Sequence, residues 1–251
     1  MNRIALAAES VAAPTPFPAL DELIDVGSCA PGPDIRQRRD AFGTFAPIHY
    51  EAGYAYPLLV WLHSRSGNEH ELRQVMPLVS MRNYVAVAPR GSSPHPRHAN
   101  RYRWRQSQDD IESAEAGIAD SVAAAERKFN IHPNRVFLVG CGSGGTMALR
   151  IAWNDPGRYA GVVSINGALP KRWRPLHRVN ELRRVPCLLV TSRDSRDYPA
   201  HRVCGDLRLL HSAGCTVALR QYPGRDELTT GMLADLNRWL MQLVCGCSRP
   251  L

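Results

Sequence analysis

Along this chain, unbroken apolar runs of five to seven residues alternate with longer stretches whose apolar positions recur near a 3.6-residue period. PLLVWLH (57–63), YVAVAP (84–89), RVFLVG (135–140), AGVVSI (160–165) and PCLLVTS (186–192) read as strands. They lack polar alternation, which predicts burial on both faces. FAPIHY (45–50) and CTVALRQY (215–222) read as further strands. Between them lie predicted helices at 68–82, 109–130, 144–154, 199–213 and 228–244. In the first, Asn68 reads as N-cap and Glu71 as its capping-box partner, with Pro77 as a kink or stop. Two turn-rich loops, 90–108 and 168–185, interrupt the alternation. Strand followed by helix with short connections predicts an α/β fold, a mostly parallel, doubly wound sheet with helices on both faces.

Residues 1–44 read as a proline-rich lead-in, with Pro14, Pro16, Pro18, Pro31 and Pro33 ahead of the run Arg36–Arg39. Residues 45–246 read as one domain and 247–251 as a tail. No run reaches the ~18 apolar residues of a membrane span. The first ten residues lack the ~7–15-residue apolar run of a secretory signal. A cytoplasmic chain is therefore expected. Seven cysteines at scattered spacings (Cys29, Cys141, Cys187, Cys204, Cys215, Cys245, Cys247) fit free thiols rather than a disulfide framework. Cys245-x-Cys247 lacks the second ligand pair of a metal site, and His201 and His211 fall on a surface helix, so no metal and no cofactor are expected. The 251 residues carry 31 basic against 23 acidic side chains, and 29 of the 31 are Arg. So lopsided a ratio points to a compositional bias and weakens any reading of each Arg as a selected contact.

The segment VFLVGCGSGGTMALRIA runs a buried strand through a glycine turn directly into a helix. Gly140, Gly142 and Gly145 satisfy GxGxxG, but the next strand ends in Ile165-Asn166-Gly167 without the carboxylate a dinucleotide ribose requires. The alternative is the nucleophile elbow, GxSxG. PLLVWLHSRSGNEHEL, YVAVAPRG, FNIHPNRVFLVG, MALRIAWNDPGRYAGVVSINGALP, PCLLVTSRDSRDYP and LRQYPGRDELTTGMLADLNRWL occur in the order expected of that fold. Together they resemble the phospholipase/carboxylesterase group of the α/β-hydrolase superfamily, with dienelactone-hydrolase-like proteins as near relatives. The resemblance implies an α/β-hydrolase fold without a cap domain and an ester-cleaving ancestry. It also implies an oxyanion loop at His63-Ser64, where the group has HG, with Ser143 donating its backbone N–H.

The catalytic residues that the resemblance implies are not in place. Gly142 stands where the nucleophilic serine belongs, Asp226 where the histidine belongs, and the acid position falls at Ser195, with Asp194 beside it. Acyl transfer needs a nucleophile, a base and a group that orients the base. The elbow strains its central residue, so glycine there relieves about 1–3 kcal/mol. This predicts a catalytically degenerate, esterase-like protein that binds a ligand or partner. Asp226 is expected to face Asp194, so that one of the two stays protonated or an Arg or another cation sits between them, with Arg65, Arg193, Arg196 and Arg225 as candidate partners. The runner-up is an active carboxylic-ester hydrolase using Cys141 or Ser143, with His63 as the available base and, otherwise, as a buttress of the oxyanion loop.

Loop 90–105 holds Arg90, Arg97, Arg101, Arg103 and Arg105 without an acid, beside His95 and His98, which read as solvated. Loop 171–184 holds Lys171, Arg172, Arg174, Arg178, Arg183 and Arg184 against Glu181 alone. Both follow strand ends at the edge where open α/β sheets bind ligands. Arg65, Arg90, Arg103 and Arg172 are therefore expected as a rim for a small organic anion or ester. A basic nucleic-acid-binding surface is the third reading, and no recognised nucleic-acid module accompanies it.

Overall fold

The computed structural model describes residues 42–171 and 179–246. The unbroken apolar runs form the middle of one sheet. β2 (Tyr56–Leu62), β3 (Val85–Pro89), β7 (Gly161–Ile165) and β8 (Cys187–Ser192) are buried at every residue, as is β6 (Ile131–Cys141) from Val136 onward. With β1 (Phe42–Phe45) and β9 (Val217–Tyr222) they make a seven-stranded sheet, order β1-β3-β2-β6-β7-β8-β9. β1 runs antiparallel to β3, and every other pairing is parallel.

Each inner strand sends alternate side chains to opposite helix layers. Leu58, Val60 and Leu62 of β2 pack with α2 (Gln108–Lys128), α3 (Ser143–Asn154) and α5 (Ala200–Ser212). Leu59 and Trp61 pack with α1 (Glu71–Val79) and α6 (Thr230–Val244). Both layers are apolar, which is why the strands show no alternation. α2 carries the expected end chemistry. Ser107 accepts from the Asp110 N–H, Asp109 and Asp110 lie in its first turn, and Arg127 and Lys128 lie in its last.

Two elements differ from the sequence reading. The strand expected at 45–50 lies instead at Phe42–Phe45. Pro47 has no N–H to give a ladder, and His49 takes φ 57°, so the chain turns away after Phe45. The first helix starts at Glu71 rather than 68, and Asn68 does not cap it. The Asn68 Oδ1 accepts from the His70 N–H at 2.9 Å in a local turn, and the Glu71 carboxylate is engaged elsewhere. Loop 90–108 carries a small antiparallel ribbon, β4 (Ser93–Pro94) with β5 (Tyr102–Arg103), and the second basic loop ends in a short helix, α4 (Val179–Leu182). Residues 1–41, including the proline-rich stretch and Arg36–Arg39, lie outside the described residues, as do Arg172, Arg174, Arg178, Cys29 and Cys247.

Candidate functional site

The turn from β6 into α3 lies at the C-terminal edge of the parallel strands, where the helix N-terminus and the neighbouring strand ends converge. At its apex Gly142 has φ 56° and ψ −119°, a backbone conformation that L side chains rarely adopt. The turn is held by the Gly142 N–H donating to the Ile165 carbonyl at 2.7 Å and by the Gly142 carbonyl accepting from the Thr146 N–H at 3.1 Å. A Cβ built on Gly142 meets only the Arg65 backbone nitrogen, at 3.9 Å, so the strained residue has room above it. Two residues on, the opposite holds. A Cβ on Gly144 would sit 2.4 Å from the Leu62 carbonyl oxygen and 2.5 Å from that of His63. Glycine there lets the first turn of α3 press against the end of β2 and the loop beyond it.

That loop, 63–67, is fastened from beneath by Glu71. Its carboxylate accepts from the Ser64 N–H at 3.0 Å, the Ser64 hydroxyl at 2.6 Å and the Trp61 indole N–H at 2.9 Å. Burial raises the Glu71 pKa above the usual carboxylate value, and these donors pull against the rise. Ser66 takes φ 58°, and the Gly67 N–H closes the turn on the Ser64 carbonyl at 3.0 Å.

His63 is fully buried, and both ring nitrogens are engaged by the backbone. Nδ1 donates to the Ser64 carbonyl at 2.9 Å and Nε2 accepts from the Gly91 N–H at 3.1 Å. The Trp104 indole N–H donates to the His63 carbonyl at 3.0 Å. The ring is a buttress between two loops, with no lone pair left for a nucleophile. Burial brings its pKa down to about 4, against the raising pull of the Ser64 carbonyl and Glu69. The unfolded ring takes a proton near pH 6.5, whereas the folded one stays neutral to about 4. Between those values the unfolded chain binds more protons. Stability from this group is therefore complete above pH 6.5 and falls as pH drops toward 4, by about 3 kcal/mol over the window. Urea melts at pH 7 and 4.5 should show that loss, and His63→Asn, which cannot protonate in this range, should flatten the difference.

Ser195, not Asp194, faces Asp226. The Ser195 hydroxyl donates to Asp226 Oδ1 and accepts from the Tyr198 N–H at 2.8 Å, and the Arg196 N–H donates to Asp226 Oδ2 at 3.0 Å. Asp194 is exposed, with its N–H on the Gly224 carbonyl at 2.9 Å. The expected confrontation of two carboxylates is thus absent. The residue register of the 192–198 turn places a hydroxyl opposite Asp226 instead.

Cys141 and Ser143 flank Gly142 in different settings. Cys141 is buried on the α1/α6 side of the sheet. Burial, reinforced by Glu71, Asp226 and Asp197, pushes its thiol pKa well up. A thiol held protonated in the core is the opposite of what nucleophilic attack needs. Ser143 is half-buried at the first position of α3.

Two arginines of the expected anion rim are engaged by acids. Arg90 grips Glu69 through two guanidinium nitrogens and lies 4.8 Å over the Tyr102 ring. Arg65 pairs with Asp197 at 3.4 Å, both well exposed. Arg103 is half-buried, its Nε without a hydrogen-bond partner. Arg172 lies outside the described residues. Asn166, just past β7, joins β7 to β8 by accepting from the Ser192 N–H at 2.7 Å and donating to its hydroxyl at 3.0 Å. His201 and His211 are exposed on α5, and among the described residues no group of three His, Cys, Asp or Glu converges as metal ligands. Nor is any described helix long and apolar enough to cross a membrane. Glu69, Glu71 and Trp104 were missed in the sequence. Only Glu71 carried a signal there, and its spacing imitated a capping box.

The sheet order, the elbow after β6 and the loop poised over it define an α/β-hydrolase. The sequence profile of the phospholipase/carboxylesterase family matches residues 69–226, and the chain belongs to that family. NocK of Nocardia uniformis subsp. tsuyamanensis, which is named as an esterase, is 31% identical over 122 residues, 45% of this chain and 33% of NocK. The chain thus spans about a third of the length of that relative. Among solved structures, a carboxylesterase from Bacillus cereus superposes with a TM-score of 0.64 at 16% identity, covering 81% of this chain and 93% of that one. A carboxylesterase from Mesorhizobium loti superposes with a TM-score of 0.63 at 18% identity, covering 75% and 90%. At these identities the two structures speak for the fold.

Proposed function

We propose that this family member binds a small ester or carboxylic acid at the strand edge over Gly142 without cleaving it. The observation that carries the reading is the contact between Asp226 and Ser195, positions where the family resemblance implies histidine and acid, beside a side-chain-free Gly142. An attacking atom and a base aligned to deprotonate it are both needed for acyl transfer. Glu71, Asp226 and Asp197 add to the burial that holds the Cys141 thiol protonated beside the elbow, and two of the four rim arginines are paired with acids. That balance favours a neutral ester or protonated acid over an anion as the ligand.

A second reading, hydrolysis by an unconventional nucleophile, is supported by membership of an esterase family and by the likeness to NocK. Burial of Cys141 leaves Ser143 as its nucleophile. The two readings part on turnover of p-nitrophenyl acetate and butyrate with fluorophosphonate labelling. The natural chain is expected to match its Ser143→Ala variant, with no label in either. Turnover that Ser143→Ala or Cys141→Ala abolishes would establish the second reading instead.

A further inference from the structure

A cavity of about 230 Å³ opens at the end of the sheet opposite Gly142, where β2 begins and where the chain enters β3. Its buried lining is apolar: Tyr56, Pro57 and Val244, with Met241 half-buried beside them. Its exposed lining carries one carboxylate, Glu51, one guanidinium, Arg82, and the ring of Tyr54. Among the described residues neither Glu51 nor Arg82 makes an ion pair. Two opposite charges thus share one cavity without contacting each other.

Both walls are held by the protein itself. On one side the Ile48 N–H donates to the Met81 carbonyl at 2.8 Å, and the Tyr54 N–H donates to the Glu51 carbonyl at 3.1 Å. The Glu51 N–H donates to the Tyr56 hydroxyl at 3.1 Å, and the Tyr54 ring stands edge-on to that of Tyr56, with centroids 4.7 Å apart. On the other side the Ser80 hydroxyl accepts from the Arg82 and Asn83 N–H groups at 3.2 and 3.1 Å. Asn83 Nδ2 donates to Asn237 Oδ1 at 3.4 Å, which ties this wall to α6. The backbones that carry the two charges are therefore fixed while the charged ends remain available. Such preorganisation lowers the ordering cost of binding.

We propose that this cavity binds a free amino acid with an apolar side chain, its ammonium on Glu51, its carboxylate on Arg82 and its side chain against Tyr56, Val244 and Met241. A volume below the ~300–1,000 Å³ of drug-sized sites suits a molecule of this size. A guanidinium takes both oxygens of a carboxylate in parallel, and a carboxylate takes an ammonium as a charge-assisted donor. A hydrophilic side chain would lose its water against the apolar lining without gaining a partner there. A ligand of one charge alone would meet a like charge, Glu51 for an anion and Arg82 for an amine, which a zwitterion balances. The cavity lies across the sheet from Gly142, so its test is independent of ester turnover.

Calorimetric titration at pH 7 is expected to show saturable binding of at least one of L-leucine, L-methionine and L-phenylalanine, and no measurable binding of glycine. The N-acetyl derivative of the amino acid that binds lacks the ammonium, and its carboxamide lacks the carboxylate. Each should bind more weakly by about fivefold or more. Glu51→Gln should weaken the amino acid by about the same factor and leave the N-acetyl derivative unchanged, whereas Arg82→Gln should weaken it equally and leave the carboxamide unchanged. Both positions are exposed and outside ion pairs, so circular dichroism and urea midpoints should match the natural chain. The proposal is overturned if none of the three amino acids binds saturably, if the N-acetyl or carboxamide derivative binds as tightly as the amino acid, or if binding is indifferent to either substitution.

Discussion

The triple variant Gly142→Ser, Ser195→Asp, Asp226→His is expected to hydrolyse p-nitrophenyl acetate at least about a hundredfold faster than the natural chain. The backbone at 142 already holds the elbow conformation, with φ 56°, and a Cβ there has its nearest neighbour at 3.9 Å. The residues at 195 and 226 already touch through hydroxyl and carboxylate, so an acid and an imidazole at those positions can hydrogen-bond without moving the backbone. Triad members act as a unit, and a lone nucleophile without its base recovers little. Gly142→Ser alone should therefore stay near the natural chain in activity. It should also lower stability by about 1–3 kcal/mol, the cost of putting a side chain on a strained residue. Fluorophosphonate labelling of Gly142→Ser in the triple variant, and not in the single one, would separate alignment from mere presence of a hydroxyl. A folded triple variant no more active than the natural chain would sink the reading of 142, 195 and 226 as a former triad.

Gly144→Ala should cost about 3 kcal/mol or more. The added carbon would lie 2.4 and 2.5 Å from the Leu62 and His63 carbonyl oxygens. Both are backbone atoms at the end of a buried central strand, so no side chain can rotate out of the way. Relief requires α3 to lift off β2, which also pulls the Gly142 turn out of register with the loop above it. Gly157→Ala is the matched control, because nothing lies within 4 Å of a Cβ there. Urea midpoints for the two variants should differ clearly, and a Gly144→Ala loss below about 1 kcal/mol would mean that this contact is softer than its geometry.

The strands at 57–63, 84–89, 135–140, 160–165 and 186–192 were readable because burial on both faces leaves a continuous apolar run that no surface element imitates. Local signals misled where a distant partner decided the outcome. Asn68 and Glu71 have capping-box spacing, yet Trp61 and Ser64 take the carboxylate. Arg65 and Arg90 read as an open rim because their partners are not visible as such in the chain. Asp197 lies 132 residues from Arg65, and Glu69 lies 21 from Arg90. The glycine elbow was legible because strand, turn and helix are contiguous. The choice between Asp194 and Ser195 depends on a one-residue register in the turn after β8, which spacing alone does not determine.

The latch formed by Glu71 also restricts how this region can change over generations. A side chain at Gly67 would strike Glu71 Oε2 at 2.6 Å, whereas a shorter acid at 71 would release Ser64 and Trp61. Neither position can drift alone. Substitutions at 64, 67 and 71 should therefore travel together through a lineage, and a cleft with a differently shaped roof would have to arise by replacing loop and helix start in one step.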